Sequence, residues 1–282
     1  MKYILILLTL IATNLSAQNV LKFDKRNVQC QDKWVSYQMN KDSIYSFGYI
    51  YMDYQAGLTF NYEGDFKINK SGNFKIVEPK EKRVGIIRSR LKPNRIAIAE
   101  IPEEKFKELK IEKTPNWLAL YKGDENSIEN LFRCGYLYNG YQEVEKALTF
   151  LEKAEKINPN FKGLQTELAF SYNALGKFEK AEIALQKELK NNPKDCYTMK
   201  ELAYTYNHME KQDKSIQTYN KMIAICTDKS YVQETAYNLA CKYYELKDKI
   251  KFEKWNKETR KWSENENQFI KNLTQLEQNI NK

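Results

Sequence analysis

Between Ile128 and about Asp228 the sequence repeats itself, and this constrains the fold more than any other feature. Tyr138, Tyr172 and Tyr206 stand 34 residues apart, each followed by an asparagine: Asn139, Asn173, Asn207. Three positions before each tyrosine comes a small residue, Gly135, Ala169 or Ala203. Further on come Ala147, Ala181 and Ser215, then Leu151, Leu185 and Tyr219, in the same steps, and Pro159 and Pro193 close the first two units. A fixed period of this length predicts stacked units, each a helix–turn–helix. A lone helical hairpin cannot bury its own apolar face, so three or more must stack to form a continuous core.

The residues at these positions resemble the tetratricopeptide repeat (TPR) family. The first unit supplies Leu131, Cys134, Gly135, Tyr138, Ala147, Leu151, Ala154 and Pro159. The second supplies Gln165, Leu168, Ala169, Tyr172, Ala181, Leu185, Glu188 and Pro193. The third supplies Met199, Leu202, Ala203, Tyr206, Ser215, Tyr219 and Met222, with Thr227 in place of proline. Gln165, Glu188 and Thr227 depart from the pattern without disturbing its register. A looser fourth hairpin has Leu239, Ala240 and Tyr243 on its first helix, and Phe252 and Trp255 on its second. The resemblance covers roughly residues 128–262.

What the resemblance implies is a peptide-binding groove. In the family, the first helix of each unit builds the inner, concave wall, and ligand peptides lie along it. Carried over, the residues expected to face inward are Tyr136, Phe170 and Tyr204 and, three positions on, Asn139, Asn173 and Asn207. That spacing puts each ring and its asparagine on one helix face. An asparagine can donate to and accept from an extended backbone, and rings offer amphipathic contact area. Equally open is a structural role, with asparagines finishing each helix and rings packing on the next unit. The basic clamp with which some family members hold a C-terminal carboxylate is not matched, because Phe132 and Tyr136 stand where it needs Lys and Asn.

Residues 18–101 have another rhythm. Tyr45, Phe47, Tyr49 and Tyr51 alternate, as do Leu58, Phe60 and Tyr62; Phe66 and Ile68 enter, and Phe74 and Ile76 leave, the loop Asn69-Lys70-Ser71-Gly72-Asn73. Period-two alternation around a Gly-containing loop predicts a β-hairpin. Val84–Ile87 and Ile96–Ile101 add two short strands, for a small antiparallel sheet of about five. Residues 102–127 read as a helical connection, started at Pro102-Glu103-Glu104 and again at Thr114-Pro115. The polar stretch 263–282 carries Phe269, Ile270, Leu273, Leu276 and Ile280 at helical spacing, an amphipathic helix suited to capping the stack. The expected class is therefore α+β, mainly α: a small N-terminal sheet domain, then an α-solenoid of about four hairpins with a C-terminal capping helix.

Residues 1–17 read as a signal peptide. Lys2 gives the positive end, Tyr3–Ala12 the apolar run, and Leu15-Ser16-Ala17 the cleavage site. The run is too short to span a bilayer, so no transmembrane segment is expected after cleavage, and the expected location is the periplasm or exterior of a bacterial cell. In an oxidising compartment the cysteines become candidates for pairing. Cys196 opens the first helix of the third unit and Cys226 ends its second, and in an antiparallel hairpin those ends are neighbours. We therefore expect a Cys196–Cys226 disulfide, with Cys134 a small buried residue.

Catalysis finds little purchase. The single histidine, His208, ends the third unit's first helix, where an exposed polar residue is ordinary. No phosphate loop, His-Glu-x-x-His pattern or paired-cysteine zinc spacing occurs, so no enzyme activity, metal or cofactor is expected. The net charge of +9 concentrates in two runs. One spans Lys67, Lys70, Lys75, Lys80, Lys82, Arg83, Arg88, Arg90, Lys92 and Arg95; the other is Lys247–Lys261 with Phe252, Trp255 and Trp262 interleaved. A basic surface attracts anions. Export disfavours nucleic acid and leaves an anionic envelope component as a candidate beside a simple solvated face. The expectation is an exported, non-catalytic adaptor or scaffold binding a partner protein or peptide in its groove. The alternative is an accessory subunit of an envelope enzyme or transport assembly, its sheet domain binding a saccharide or small ligand. Exposed tyrosines on the sheet would favour the second.

Overall fold

The structure, a computed structural model, describes residues 20–79, 85–94, 96–263 and 265–280. The signal-peptide reading, and the basic residues Lys80, Lys82, Arg83 and Arg95, lie outside the described residues. The class is α+β and mainly α, and the chain divides into two compact units, Met1–Gly123 and Asp124–Lys282.

The first unit is built on an antiparallel sheet. Its strands are β1 (Lys33–Ser36), β2 (Tyr45–Asp53), β3 (Gly57–Ile68), β4 (Phe74–Val77), β5 (Ile87–Arg90) and β6 (Ala99–Glu100). They lie in the order β4-β3-β2-β1-β6, with β5 also paired to β3. The β2–β3 turn is held by Asp53 Oδ1, which accepts from the backbone N–H of Gln55 and Ala56 at 2.8 Å each. In the β3–β4 loop Asn69 Oδ1 does the same for Ser71 and Asn73, and Gly72 takes the left-handed φ of +77° that closes it. The register slips at Phe47/Gly48, where a Cβ on Gly48 would lie 2.1 Å from the Asn61 carbonyl oxygen, so only glycine fits.

Alternation turns Phe47, Tyr49 and Tyr51 to one face, where they pack with Trp34, Phe66 and Phe74. The chain after β6 covers this cluster with the short helices α1 (Phe106–Leu109) and α2 (Ala119–Lys122). Trp117 meets Tyr51 edge-on at 5.3 Å, and the Trp34 indole donates to the Glu112 carbonyl at 2.8 Å. Residues read from sequence as a connection are thus packed on the sheet. Of the strand expected at Val84–Ile87, Val84 lies outside the described residues, and Ile87 opens β5, paired to β3.

Among the described residues, the second unit is four helical hairpins and a final helix. The first helices are α3 (Ile128–Gly140), α5 (Leu164–Ala174), α7 (Cys196–His208) and α9 (Ser230–Glu245). The second helices are α4 (Val144–Ile157), α6 (Phe178–Asn191), α8 (Gln212–Ile225) and α10 (Lys249–Lys261). Ala147, Ala181, Ser215, Leu151, Leu185 and Tyr219 are all buried, so the repeated positions are the core. Close helix crossing needs small residues. A Cβ on Gly135 would come within 2.3 Å of the Leu151 side chain. Gln165, a departure from the family pattern, is buried and donates to Glu155 Oε1 and the Pro159 carbonyl at 2.9 Å each. The turn within each hairpin holds one left-handed residue: Gln142, Gly176, Glu210 and Lys247. Helix α11 (Gln268–Asn279) buries Leu273 against the last hairpin and sets Phe269 on Tyr237 at 4.7 Å.

Candidate functional site

The expected groove residues separate into two kinds. Tyr136 is 56% exposed, while Phe170 and Tyr204 are half-buried on the same row of first helices. Asn139, Asn173 and Asn207 are all buried, 3% exposed in the case of Asn207. Asn139 Nδ2 donates to Glu167 Oε2 at 2.9 Å and to the Glu167 carbonyl at 3.0 Å, while its Oδ1 accepts from Ser171 Oγ at 2.7 Å. One unit later two of these bonds recur: Asn173 Nδ2 donates to Glu201 Oε2 at 3.4 Å, and Thr205 Oγ1 donates to Asn173 Oδ1 at 3.0 Å. The expectation that these two asparagines address a bound peptide backbone is therefore corrected. They are staples joining each first helix to the next, because burial obliges an amide to find partners inside the chain.

The third staple is broken. The fourth hairpin follows at a step of 37 rather than 34, so Asn238 stands where Glu167 and Glu201 stood and Lys242 where Ser171 and Thr205 stood. Among the described residues neither polar atom of the Asn207 side chain has a hydrogen-bond partner. Asn238 is one methylene shorter than glutamate. A recess of about 70 Å³ opens there, lined by Tyr204, Asn207, His208, Asn238, Lys242 and Glu245 among others.

A larger recess, about 230 Å³, lies between α3, α5 and α7. Its rings are Phe132, Tyr136 and Tyr197, its floor is Gly163 and Thr166, and its carboxylates are Glu167 and Asp195. Asp195 also caps α7 by accepting from the Tyr197 and Thr198 N–H groups. Glu167 is only 7% exposed. Burial pushes its carboxyl up, the Asn139 hydrogen bond pulls it down, the charge of Glu201 pushes it up again, and the result is about 7. The Tyr197 phenol is driven far above its ordinary range, first by burial and then by Glu201, Glu167 and Glu234. The recess thus has ring walls and carries the carboxyl groups of Glu167 and Asp195. Sequence reading missed Glu167, Glu201, Ser171 and Thr205, although each pair repeats at the 34-residue step.

Cys196 and Cys226 are disulfide-bonded, their Cα atoms 5.8 Å apart. Cys134, expected to be buried, is half-buried. His208 stacks on Phe178 at 4.9 Å and lies 4.3 Å from Tyr204, with its imidazole pulled below the usual histidine value by burial. Nearby Cys241 has its thiol pushed up by burial, which keeps it protonated and poorly nucleophilic. Among the described residues no group of three or more His, Cys, Asp or Glu is placed to hold a metal ion. No helix among them is long and apolar enough to cross a membrane. Of the basic runs, Arg88 sits 4.1 Å over the Tyr121 ring and donates to Asn61. On α10, Lys249, Lys251, Arg260 and Lys261 each face an acidic partner.

No protein-family model and no curated protein matches this chain. Among solved structures it is similar to a crystal structure of MamA, at 20% identity over 52% of this chain and 84% of that one, with a TM-score of 0.44. It is also similar to a tetratricopeptide repeat protein from Parabacteroides merdae, at 18% identity over 61% and 67% of the two chains, again with a TM-score of 0.44.

Proposed function

We propose that this chain is an exported, non-catalytic adaptor whose helical unit binds a partner protein across the row of first helices. The observation that carries the reading is the ring row itself. Tyr136, Phe170 and Tyr204 repeat at the hairpin spacing on α3, α5 and α7, with a recess beside each end of the row. The buried staples hold those helices at fixed separations, so the row is a preorganised surface that loses little freedom on binding. Partly exposed aromatic residues on rigid elements are what protein interfaces use as anchors. Export rests on the leader-like residues 1–17, and the disulfide favours an oxidising compartment.

The saccharide-binding alternative draws less support from the first unit, where Tyr49 and Tyr51 are buried in the core, Tyr45 and Tyr62 are half-buried and Tyr54 is exposed. An anionic envelope component remains a partner for the uncompensated part of the basic charge.

The test is crosslinking capture from the envelope fraction with the full mature chain beside a Tyr136→Ala, Phe170→Ala, Tyr204→Ala variant. A partner captured by the first and lost by the second supports the reading. Equal capture by both moves recognition away from the first helices and refutes it.

A further inference from the structure

The 230 Å³ recess has a filled counterpart one repeat further on. In the third unit Lys200 carries its ammonium to Glu201 at 2.8 Å and Glu234 at 3.3 Å, and lies 4.6 Å over the Tyr197 ring. Burial pulls that ammonium down, but the two carboxylates more than offset it and it is held above its ordinary value. Stepping back 34 residues, Glu201 becomes Glu167, but Lys200 becomes Thr166 and Tyr197 becomes Gly163. Thr166 is turned aside to share a 2.7 Å hydrogen bond with Thr198. Gly163 stands before α5 at φ +80°, a left-handed conformation that a side chain resists, so the floor of the recess is bare. Glu167 keeps its place, buried, with Oε2 on the Asn139 amide and no cation beside it among the described residues.

We propose that this recess receives the side chain of a lysine from the partner protein, its ammonium on Glu167 and its stem along Phe132 and Tyr136. This rests on the protein-binding reading above and deepens it. The chemistry follows from three features together. A buried carboxylate without a counter-charge gains most from a cation. Ring faces attract an ammonium and cover its aliphatic stem. The recess, at about 230 Å³, has room for such a side chain, and Lys200 shows the same ammonium–carboxylate–ring arrangement made within the chain. The charged group acting on Glu167 is Glu201, itself paired with Lys200, and Asp195, Tyr197 and Tyr136 share the lining of the recess. Binding therefore draws on the ionised carboxylate and strengthens as pH rises through about 7.

The experiment titrates the full mature chain, by calorimetry at about pH 8, with acetyl-Gly-Gly-Lys-Gly-Gly-amide, the same peptide with norleucine for lysine, and n-butylamine. The lysine peptide should bind at least about tenfold tighter than the norleucine peptide, and Glu167→Gln should abolish that preference. Tyr136→Ala, at a position 56% exposed, should weaken the lysine peptide several-fold. Equal binding of the two peptides, or an unchanged preference in Glu167→Gln, overturns the proposal. Butylamine binding as tightly as the lysine peptide would assign the recess to a free alkylamine and overturn it as well. Loss of the lysine preference while partner capture still depends on Tyr136, Phe170 and Tyr204 would remove this inference alone and leave the adaptor reading standing.

Discussion

Replacing Glu167 by glutamine should stabilise the protein, and only above acidic pH. Glutamine has the shape of glutamate and keeps an acceptor oxygen for Asn139 Nδ2, so the staple survives. What changes is the charge. The Glu167 carboxyl titrates near 7 in the folded chain instead of its ordinary 4.5. At about 1.36 kcal/mol per pKa unit, ionising it in place costs on the order of 3 kcal/mol. The folded state therefore holds a proton that the unfolded chain has released. This group's stabilisation is complete below about pH 4.5, is lost as pH rises toward 7, and is absent above it. The glutamine variant has no such loss. Thermal unfolding of both chains followed by circular dichroism should give equal Tm values near pH 4, diverging to a gain of roughly 6–12 °C for Glu167→Gln near pH 8, at about 2–4 °C per kcal/mol for a unit of this size. A Tm difference that stays flat from about pH 5 to 8, or a variant less stable at pH 8, would refute the account of Glu167 as a buried carboxylate without a counter-charge.

Removing the disulfide with Cys196→Ser and Cys226→Ser releases a loop with a sequence separation of 30, and urea unfolding should report a loss of about 3–4 kcal/mol. Asn238→Gln adds the methylene that the third staple lacks and gives the buried Asn207 amide a partner, so stability should rise by about 1 kcal/mol in the same assay. Glu210→Gly relieves a left-handed turn residue at φ +58°, matching Gly176 one unit earlier. It should raise stability by roughly 0.5–1 kcal/mol, whereas Gly176→Ala should lower it by a similar amount.

The helical unit was legible because its period is a local signal: small residues at 135, 169 and 203 and tyrosines at 138, 172 and 206 report the same packing three times over. The roles of the asparagines were not, because burial depends on where the next helix lies. The same 34-residue step also carries Glu167 with Glu201 and Ser171 with Thr205. Tracking those pairs beside Asn139 and Asn173 would have pointed to contacts within the chain. The first unit was legible as alternating strands and a Gly72 loop. The folding of residues 102–122 onto it was hidden, since the bond from Trp34 to the Glu112 carbonyl spans 78 positions and leaves no periodic trace.

The contrast between Gly163–Thr166 and Tyr197–Lys200 also says how such an array can acquire a specificity. No new functional group had to be installed; one unit simply lacks the internal cation that its neighbour carries, and the carboxylate left behind becomes a vacancy addressed to the outside. Because the second and third units share one frame, that vacancy is portable between them: Tyr197→Gly with Lys200→Thr would uncover Glu201 one rung along. The stack then behaves as a ruler on which the location of a contact is edited by subtraction, while the staples preserve the spacing of the marks.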